Sequence, residues 1–183
     1  MSIATKRGDD GSTGLMYNRR VSKTHARVDA YGFVDELNAA LGVIRSQDAD
    51  EFVQETINRI QDQLVLLMGE LATDPEDRER YQKDGFTLVE ESFLEPIDSL
   101  VIDLEARDLS FKGWAKPGDN PISASFDVAR CVCRRAERQV CHLIETEAEP
   151  NRQIMRYLNR LSDALWLCAR WVETGRPASL ETK

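Results

Sequence analysis

The sequence predicts an all-α domain built as a bundle of five long helices. Apolar residues recur three and four positions apart in five separate stretches, the period of a helix face that packs against a core. No stretch alternates apolar and polar residues in the manner of a strand, and no repeat or low-complexity linker interrupts the 183 residues. Residues 1–183 therefore read as one domain, long enough for a substantial core, with an N-terminal segment over 1–26 and the helical bundle over 27–175.

The first helix is predicted over about 27–46, with Ala30, Val34, Leu37, Leu41 and Ile44 on one face. The second, over about 49–73, carries Phe52, Ile57, Ile60, Leu64, Leu67, Met68 and Leu71, and Asp74-Pro75 closes it. A polar segment, 76–85, follows. The third helix is expected over about 88–107, with Leu94, Ile97, Leu100, Val101 and Leu104, before a loop rich in Gly and Pro over 108–121. The fourth spans about 123–147, with Ala129, Val132, Cys133, Ala136 and Val140 as its apolar stripe. The fifth opens near Pro150, a residue suited to a first helical turn. It runs through Ile154, Leu158, Leu161, Leu165, Cys168 and Val172 and stops at Gly175-Arg176-Pro177.

Composition narrows the function. With 24 Lys and Arg against 32 Asp and Glu, the net charge is −8, which argues against general nucleic-acid binding. No apolar run approaches the ~18 residues of a membrane span, and Met1-Ser2-Ile3-Ala4 has neither the charged nor the apolar region of a signal peptide. A cytoplasmic protein is expected. The cysteines Cys131, Cys133, Cys141 and Cys168 fall inside helical patterns, and only His25 and His142 could join them, so reduced thiols are expected rather than zinc.

Against this acidic background the fourth helix concentrates four arginines in nine residues, Arg130-Cys131-Val132-Cys133-Arg134-Arg135-Ala136-Glu137-Arg138. On a helix Arg130, Arg134 and either Glu137 or Arg138 share a face beside the apolar stripe. Guanidinium forks fit phosphate oxygens, so the row reads as an anion site. A solvated face with internal ion pairs to Glu137 and Glu145 fits the same residues. Near the N-terminus, Thr5-Lys6-Arg7-Gly8-Asp9-Asp10-Gly11-Ser12-Thr13-Gly14-Leu15 combines three glycines, hydroxyls and a lysine, followed by Arg19, Arg20 and Lys23. Backbone N–H groups in such a loop can nest an anion. It is not a Walker loop, and a flexible tail has the same composition. In the loop before the fourth helix, Phe111 and Trp114 would line a pocket for a flat apolar ligand or cap the bundle end. On the fifth helix Asn159, Asp163, Trp166 and Arg170 form a polar row, either an exposed face or a second buried or interfacial contact.

Together these stretches resemble the ATP:cob(I)alamin adenosyltransferases of the propanediol-utilisation type. The resemblance rests on Thr5-Lys6-x-Gly8-Asp9-x-Gly11-x-Thr13, Val34-Asp35-Glu36-Leu37-Asn38-Ala39 with Gly42, and Pro117-Gly118. It continues through Arg130-x-x-Cys133-Arg134-Arg135-Ala136-Glu137-Arg138 and Tyr157-Leu158-Asn159-Arg160-Leu161-Ser162-Asp163, in family order from residue 5 to about 172. The resemblance implies a homotrimer of five-helix bundles with ATP and the corrinoid sharing a site at each subunit interface. The implied reaction moves the 5′-deoxyadenosyl group of ATP onto cobalt, giving adenosylcobalamin and triphosphate. It also implies Mg²⁺ bound through ATP phosphates with no metal ligand from protein side chains, and a flavoprotein reductase and an adenosylcobalamin-dependent enzyme as partners.

By position the resemblance assigns Thr5, Lys6, Gly8, Asp9, Gly11, Ser12 and Thr13 to the triphosphate, with Lys23 assisting. Arg134, Glu137, Arg138 and Asn159 fall at the nucleotide, Arg134 nearest the phosphates. Asp35 pairs with Arg130 across the interface, and Arg134, Arg130 and Asp35 make up the catalytic set. Trp114 and Phe111, with Ser162 and Asp163, fall on the corrinoid. Two departures stand out. Many members have phenylalanine where this chain has Trp114, sixteen residues before Arg130. In them the ring covers the lower face of the corrin and leaves cob(II)alamin four-coordinate and easier to reduce. Met16-Tyr17-Asn18 lacks a glycine-aspartate pairing common there. Two other readings compete with the enzyme: an ATP and corrinoid carrier that delivers adenosylcobalamin, and a helical scaffold whose arginines only pair across subunits.

Overall fold

The elements of the computed structural model are, in order, β1 (Ser12–Gly14), a 3-10 turn at Met16–Asn18, β2 (Arg20–Ser22), α1 (Ala26–Arg45), α2 (Glu51–Leu71), a 3-10 turn at Pro75–Asp77 and α3 (Arg78–Lys83). They continue with a 3-10 turn at Glu91–Leu94, α4 (Glu95–Glu105), α5 (Pro121–Thr146) and α6 (Arg152–Glu173). The structure describes residues 4, 6–47, 49–107, 109, 114–147 and 151–175. Helix starts follow capping chemistry, in which a side chain takes one of the first unpaired N–H groups. Asp50 accepts from Val53 N–H at 2.9 Å and Asn151 from Gln153 N–H at 3.0 Å. Asn120 and Ser123 form a capping box around Pro121 at the first turn of α5.

α5 packs on α1 along one side and on α6 along the other, α2 lies on α1, and α4 lies on α6. The apolar stripes meet in one core that includes Leu37, Leu41, Ile57, Leu64, Phe126, Ala136, Tyr157, Leu161 and Trp171. Burying each leucine-sized side chain contributes ~1.5–3 kcal/mol. At one end of the bundle a buried polar network ties the helix ends together. Arg27 donates to the Leu71 carbonyl at 2.9 Å and pairs with Glu147, while Glu70 accepts from Val89 N–H at 2.6 Å and from Asn151 at 2.7 Å.

The expectation of no strand is corrected here. β1 and β2 pair antiparallel, with Thr13 opposite Val21, in a hairpin seated on this same end. Three-residue strands are too short to show a period, and non-local contacts hold them. Leu15 is buried, Met16 N–H donates to the Ala72 carbonyl at 2.8 Å, and Arg19 pairs with Asp77 and with Glu76 at 3.0 Å. The hairpin turn places Tyr17 and Asn18 at positive φ, with the Arg80 guanidinium 4.1 Å above the Tyr17 ring. The count of five helices is corrected too: the polar segment holds the short α3, which buries Tyr81. The third predicted helix begins later than expected, at Glu95, because Pro96 fits only a first turn. No helix among the described residues is long and apolar enough to cross a membrane.

Candidate functional site

The predicted site residues fall on distinct surfaces of the single chain. The first is the loop before β1. Asp9 N–H donates to the Lys6 carbonyl at 3.3 Å and Gly11 N–H to the Gly8 carbonyl at 3.2 Å, closing two successive turns. Gly11 has φ +81°, a conformation glycine adopts at little cost, and its carbonyl accepts from Lys23 N–H at 3.0 Å. That bond brings Lys23 over the loop. A Cβ on Gly8 would lie 3.2 Å from Lys23 Nζ, so the absence of a side chain lets the ammonium approach the backbone. Lys6, Gly8, Asp9, Gly11, Ser12, Thr13 and Lys23 are thus one group. Thr5 lies outside the described residues.

Arg20 and Asp10 brace this group. Arg20 donates to the Arg7 carbonyl at 2.8 Å and to the Ser12 hydroxyl. Asp10 accepts from Ser12 Oγ at 2.7 Å and Ser12 N–H at 2.9 Å. These donations from Ser12, reinforced by the nearby Arg20 charge, hold the Asp10 carboxyl below the usual carboxylate range.

The second surface is the outer face of α5 with the neighbouring face of α6. Arg134 and Arg138 are exposed, one helical turn apart, and neither makes an ion pair among the described residues. Glu137 lies between them and accepts from Asn159 Nδ2 at 3.1 Å, which links the two helices. Asp163 is exposed one turn further along α6. Glu137 therefore serves Asn159 rather than the internal arginine pairing that a solvated face would use. Arg135 points the other way, pairing with Glu36 on α1 and lying 5.5 Å from the Phe33 ring centroid. Arg130 is half-buried, with Nε 3.6 Å from Asp127 Oδ1.

The other predicted residues separate from these groups. Asp35 is exposed on α1 and has no ion-pair partner among the described residues, so the chain by itself does not join it to Arg130. Ser162 is buried, and its hydroxyl donates to the Asn159 carbonyl at 2.9 Å, so it does not reach the surface. Trp114 is 91% exposed, which rules out the reading of a ring capping the bundle end. Phe111 lies outside the described residues. The polar row on α6 is mixed: Asn159 and Asp163 are exposed, while Arg170 is 4% exposed and donates to Asp127 at 2.7 Å and Glu173 at 2.8 Å. Asp127 was not legible as a site candidate, because Arg130 is only an ordinary i,i+3 neighbour on α5 and the partner that marks the burial, Arg170, arrives only when α6 packs on α5.

Two of the thiols are ruled out as reactive groups. Burial pushes Cys133 up and Cys168 up to about 12, so both are neutral at physiological pH. An apolar groove of about 480 Å³ lies between α1 and α5, lined by Ala39, Ala40, Val43, Ala124, Val128 and Val132, and none of the predicted site residues lines it. No hydrogen bond or ion pair joins the N-terminal loop to the α5–α6 face among the described residues. Both surfaces are cationic and donor-rich, suited to a polyanion.

Comparison with known proteins gives the same direction at every level. The family model for cobalamin adenosyltransferase matches residues 3–172. The corrinoid adenosyltransferase PduO of Salmonella typhimurium is 38% identical over 173 residues, covering 93% of this chain and 49% of the relative. The chain spans about half the length of the first curated relatives it matches. A corrinoid adenosyltransferase of Citrobacter freundii is 34% identical over 172 residues, covering 94% of this chain and 95% of the relative. Among solved structures, a phenylalanine-to-alanine variant of a PduO-type ATP:corrinoid adenosyltransferase from Lactobacillus reuteri, complexed with cobalamin and ATP, superposes with a TM-score of 0.85. It is 30% identical and the match covers 94% of both chains. An arginine-to-lysine variant of such an enzyme from the same organism, complexed with ATP, superposes at 0.83 with 28% identity and 94% of both chains covered.

Proposed function

Since the chain belongs to the cobalamin adenosyltransferase family, we propose that it transfers the 5′-deoxyadenosyl group of ATP to the cobalt of cob(I)alamin. The observation that carries this reading is the α5–α6 face, where Arg134 and Arg138 are exposed and make no ion pair among the described residues, on either side of the Glu137–Asn159 bond. Cob(I)alamin is already a strong nucleophile. Its cobalt attacks the 5′-carbon, the Co–C bond forms as the C–O bond to the phosphate chain breaks, and the electron pair leaves with triphosphate. No side chain has to act as a base, in keeping with neutral Cys133 and Cys168. The protein has to align the 5′-carbon with cobalt and stabilise charge growing on the leaving group. Arg134 supplies the second task, with Arg138, the Lys6–Thr13 loop and Lys23 holding the rest of the phosphate chain. Asn159, braced by Glu137, faces the nucleoside.

Mg²⁺ would be carried by the phosphate oxygens, as it usually binds through substrate phosphates with few protein ligands. The ion would neutralise charge on the triphosphate. A homotrimer answers the separation of the two surfaces: a second copy would bring its N-terminal loop to the α5–α6 face and its Asp35 to Arg130. Trp114, fully displayed to solvent in one chain, would then cover the lower face of the corrin. The test mixes the protein with Mg-ATP and chemically reduced cobalamin and follows the cob(I)alamin absorbance. Loss of that band with formation of adenosylcobalamin supports the enzyme. Binding of both molecules without conversion supports the carrier instead, and no ATP-dependent thermal shift supports the scaffold. Sedimentation analysis reads the trimer directly.

A further inference from the structure

The cationic face of α5 does not stand alone; it rests on buried charges that no predicted role uses. Asp127 is almost fully buried one turn before Arg130, and its two carboxylate oxygens are divided between two arginines. Oδ2 accepts from Arg170 at 2.7 Å, and Oδ1 faces Arg130 Nε at 3.6 Å. Arg170 is in turn held by Glu173 at 2.8 Å, with the Trp166 ring centroid 5.5 Å from its guanidinium carbon. The chain Glu173–Arg170–Asp127–Arg130 alternates in sign and sums to zero, which is the condition under which buried charges are tolerated. A carboxylate needed only to neutralise Arg170 would be redundant, since Glu173 already faces that guanidinium.

Arg130 Nε is buried and has no hydrogen-bond partner among the described residues, and the Asp127 carboxylate faces it at an ion-pair distance of 3.6 Å, whereas Arg130 as a whole is half-buried. A guanidinium is planar and rigid, so a buried charge that draws Nε inward also turns the two terminal nitrogens outward. Arg134 follows Arg130 by one helical turn on the same side of α5. We infer that Asp127 is a positioning residue for the transfer reaction: its buried charge, anchored by Arg170, draws the inner nitrogen of Arg130 inward so that the outer fork is presented to the substrate face and to the neighbouring copy. The inference rests on the proposed adenosyl transfer.

The test is a double-variant cycle in the full chain, with Asp127→Asn, Arg130→Gln and the pair, using pre-reduced cob(I)alamin and Mg-ATP well below each variant's melting midpoint. Asp127→Asn keeps the volume and an acceptor for Arg170 but removes the charge facing Arg130. It should cut kcat of the folded enzyme by about tenfold or more, within the ~100-fold that a misplaced group costs. In the Arg130→Gln background the same change should cost less than about twofold, because the group it acts through is gone. Asp127→Glu, which keeps the charge but moves the carboxylate, carries the same cycle if the amide variant does not fold. An unchanged kcat for folded Asp127 variants, with only the melting midpoint lowered, would assign Asp127 to stability and overturn the inference. So would equal losses in both Arg130 backgrounds. Wild type that does not turn over sinks the transfer reading, and the inference with it; active wild type with an additive cycle sinks the inference alone.

Discussion

Arg134 and Arg135 are neighbours in sequence with opposite expected roles, and replacing each by alanine separates the site from its scaffold. Arg134 is exposed and without an ion pair among the described residues, so Arg134→Ala removes no packing and should change stability by no more than about 0.5 kcal/mol. On the proposed reaction it is the donor nearest the charge that grows on the departing triphosphate. Loss of one such donor costs ~2.7–4 kcal/mol, or about 100- to 1,000-fold in kcat. Arg135 instead pairs with Glu36 and lies against Phe33, joining α5 to α1. Both partners of that pair are more than one-third exposed, so it contributes only ~0.2–1 kcal/mol. Arg135→Ala should therefore lower the melting midpoint by at most about 4 °C and leave turnover of the folded protein unchanged. Steady-state kinetics with saturating cob(I)alamin and varied Mg-ATP, beside thermal melts of the same preparations, read both. Wild-type turnover in Arg134→Ala, or an Arg135→Ala loss as large as the Arg134 one, would refute the assignment of the anion site to the Arg134 side of α5.

Other expectations follow from the same geometry. Arg27→Met strands the mostly buried Glu147 and the Leu71 carbonyl, which should cost ~3–5 kcal/mol and lower the melting midpoint by roughly 10 °C; calorimetry showing a shift under about 2 °C would contradict a buried network. Trypsin should cut the free protein at Lys6 or Arg7, in the exposed loop, before it cuts beyond the anchored Leu15. Mg-ATP should slow that cleavage, and equal rates with and without nucleotide would count against a phosphate role for the loop. Trp114→Ala, at a 91% exposed position, should leave the melting midpoint unchanged. It should slow reaction from cob(II)alamin with a reductant far more than reaction from pre-reduced cob(I)alamin. Equal slowing in both would remove Trp114 from the corrin face.

Much of the bundle was legible because helical periodicity is a local signal that tertiary packing only reinforces. The stripes of α1, α2, α5 and α6 are the buried stripes of the structure. Helix boundaries differ from the periodic stripes where capping chemistry decides them. Pro96 marks the start of α4, and the Asn120-Pro121-x-Ser123 box marks the start of α5, both readable from sequence. The hairpin was not readable, since Ser12–Gly14 and Arg20–Ser22 have no strand period and are held by Ala72, Asp77 and the core. The candidate site residues, whose roles remain proposals, divide in the same way. Arg134, Arg138 and the Gly8–Gly11 loop announce themselves by residue type and spacing. Asp127 and Arg170 do not, because a buried ion pair depends on the partner that packing supplies, here 43 positions away. Asp35 has no ion-pair partner among the described residues, so packing within the chain adds nothing to what its sequence position says.

The fate of ATP tests the central claim most directly, because attack at the 5′-carbon and attack at any phosphorus leave different products. Purified protein, Mg-ATP and pre-reduced cob(I)alamin are incubated to completion, and the phosphates are read by phosphorus NMR beside the corrinoid spectrum. Adenosyl transfer predicts intact triphosphate in equal amount to adenosylcobalamin. Diphosphate and orthophosphate without adenosylcobalamin, or unchanged ATP and cob(I)alamin, would contradict it.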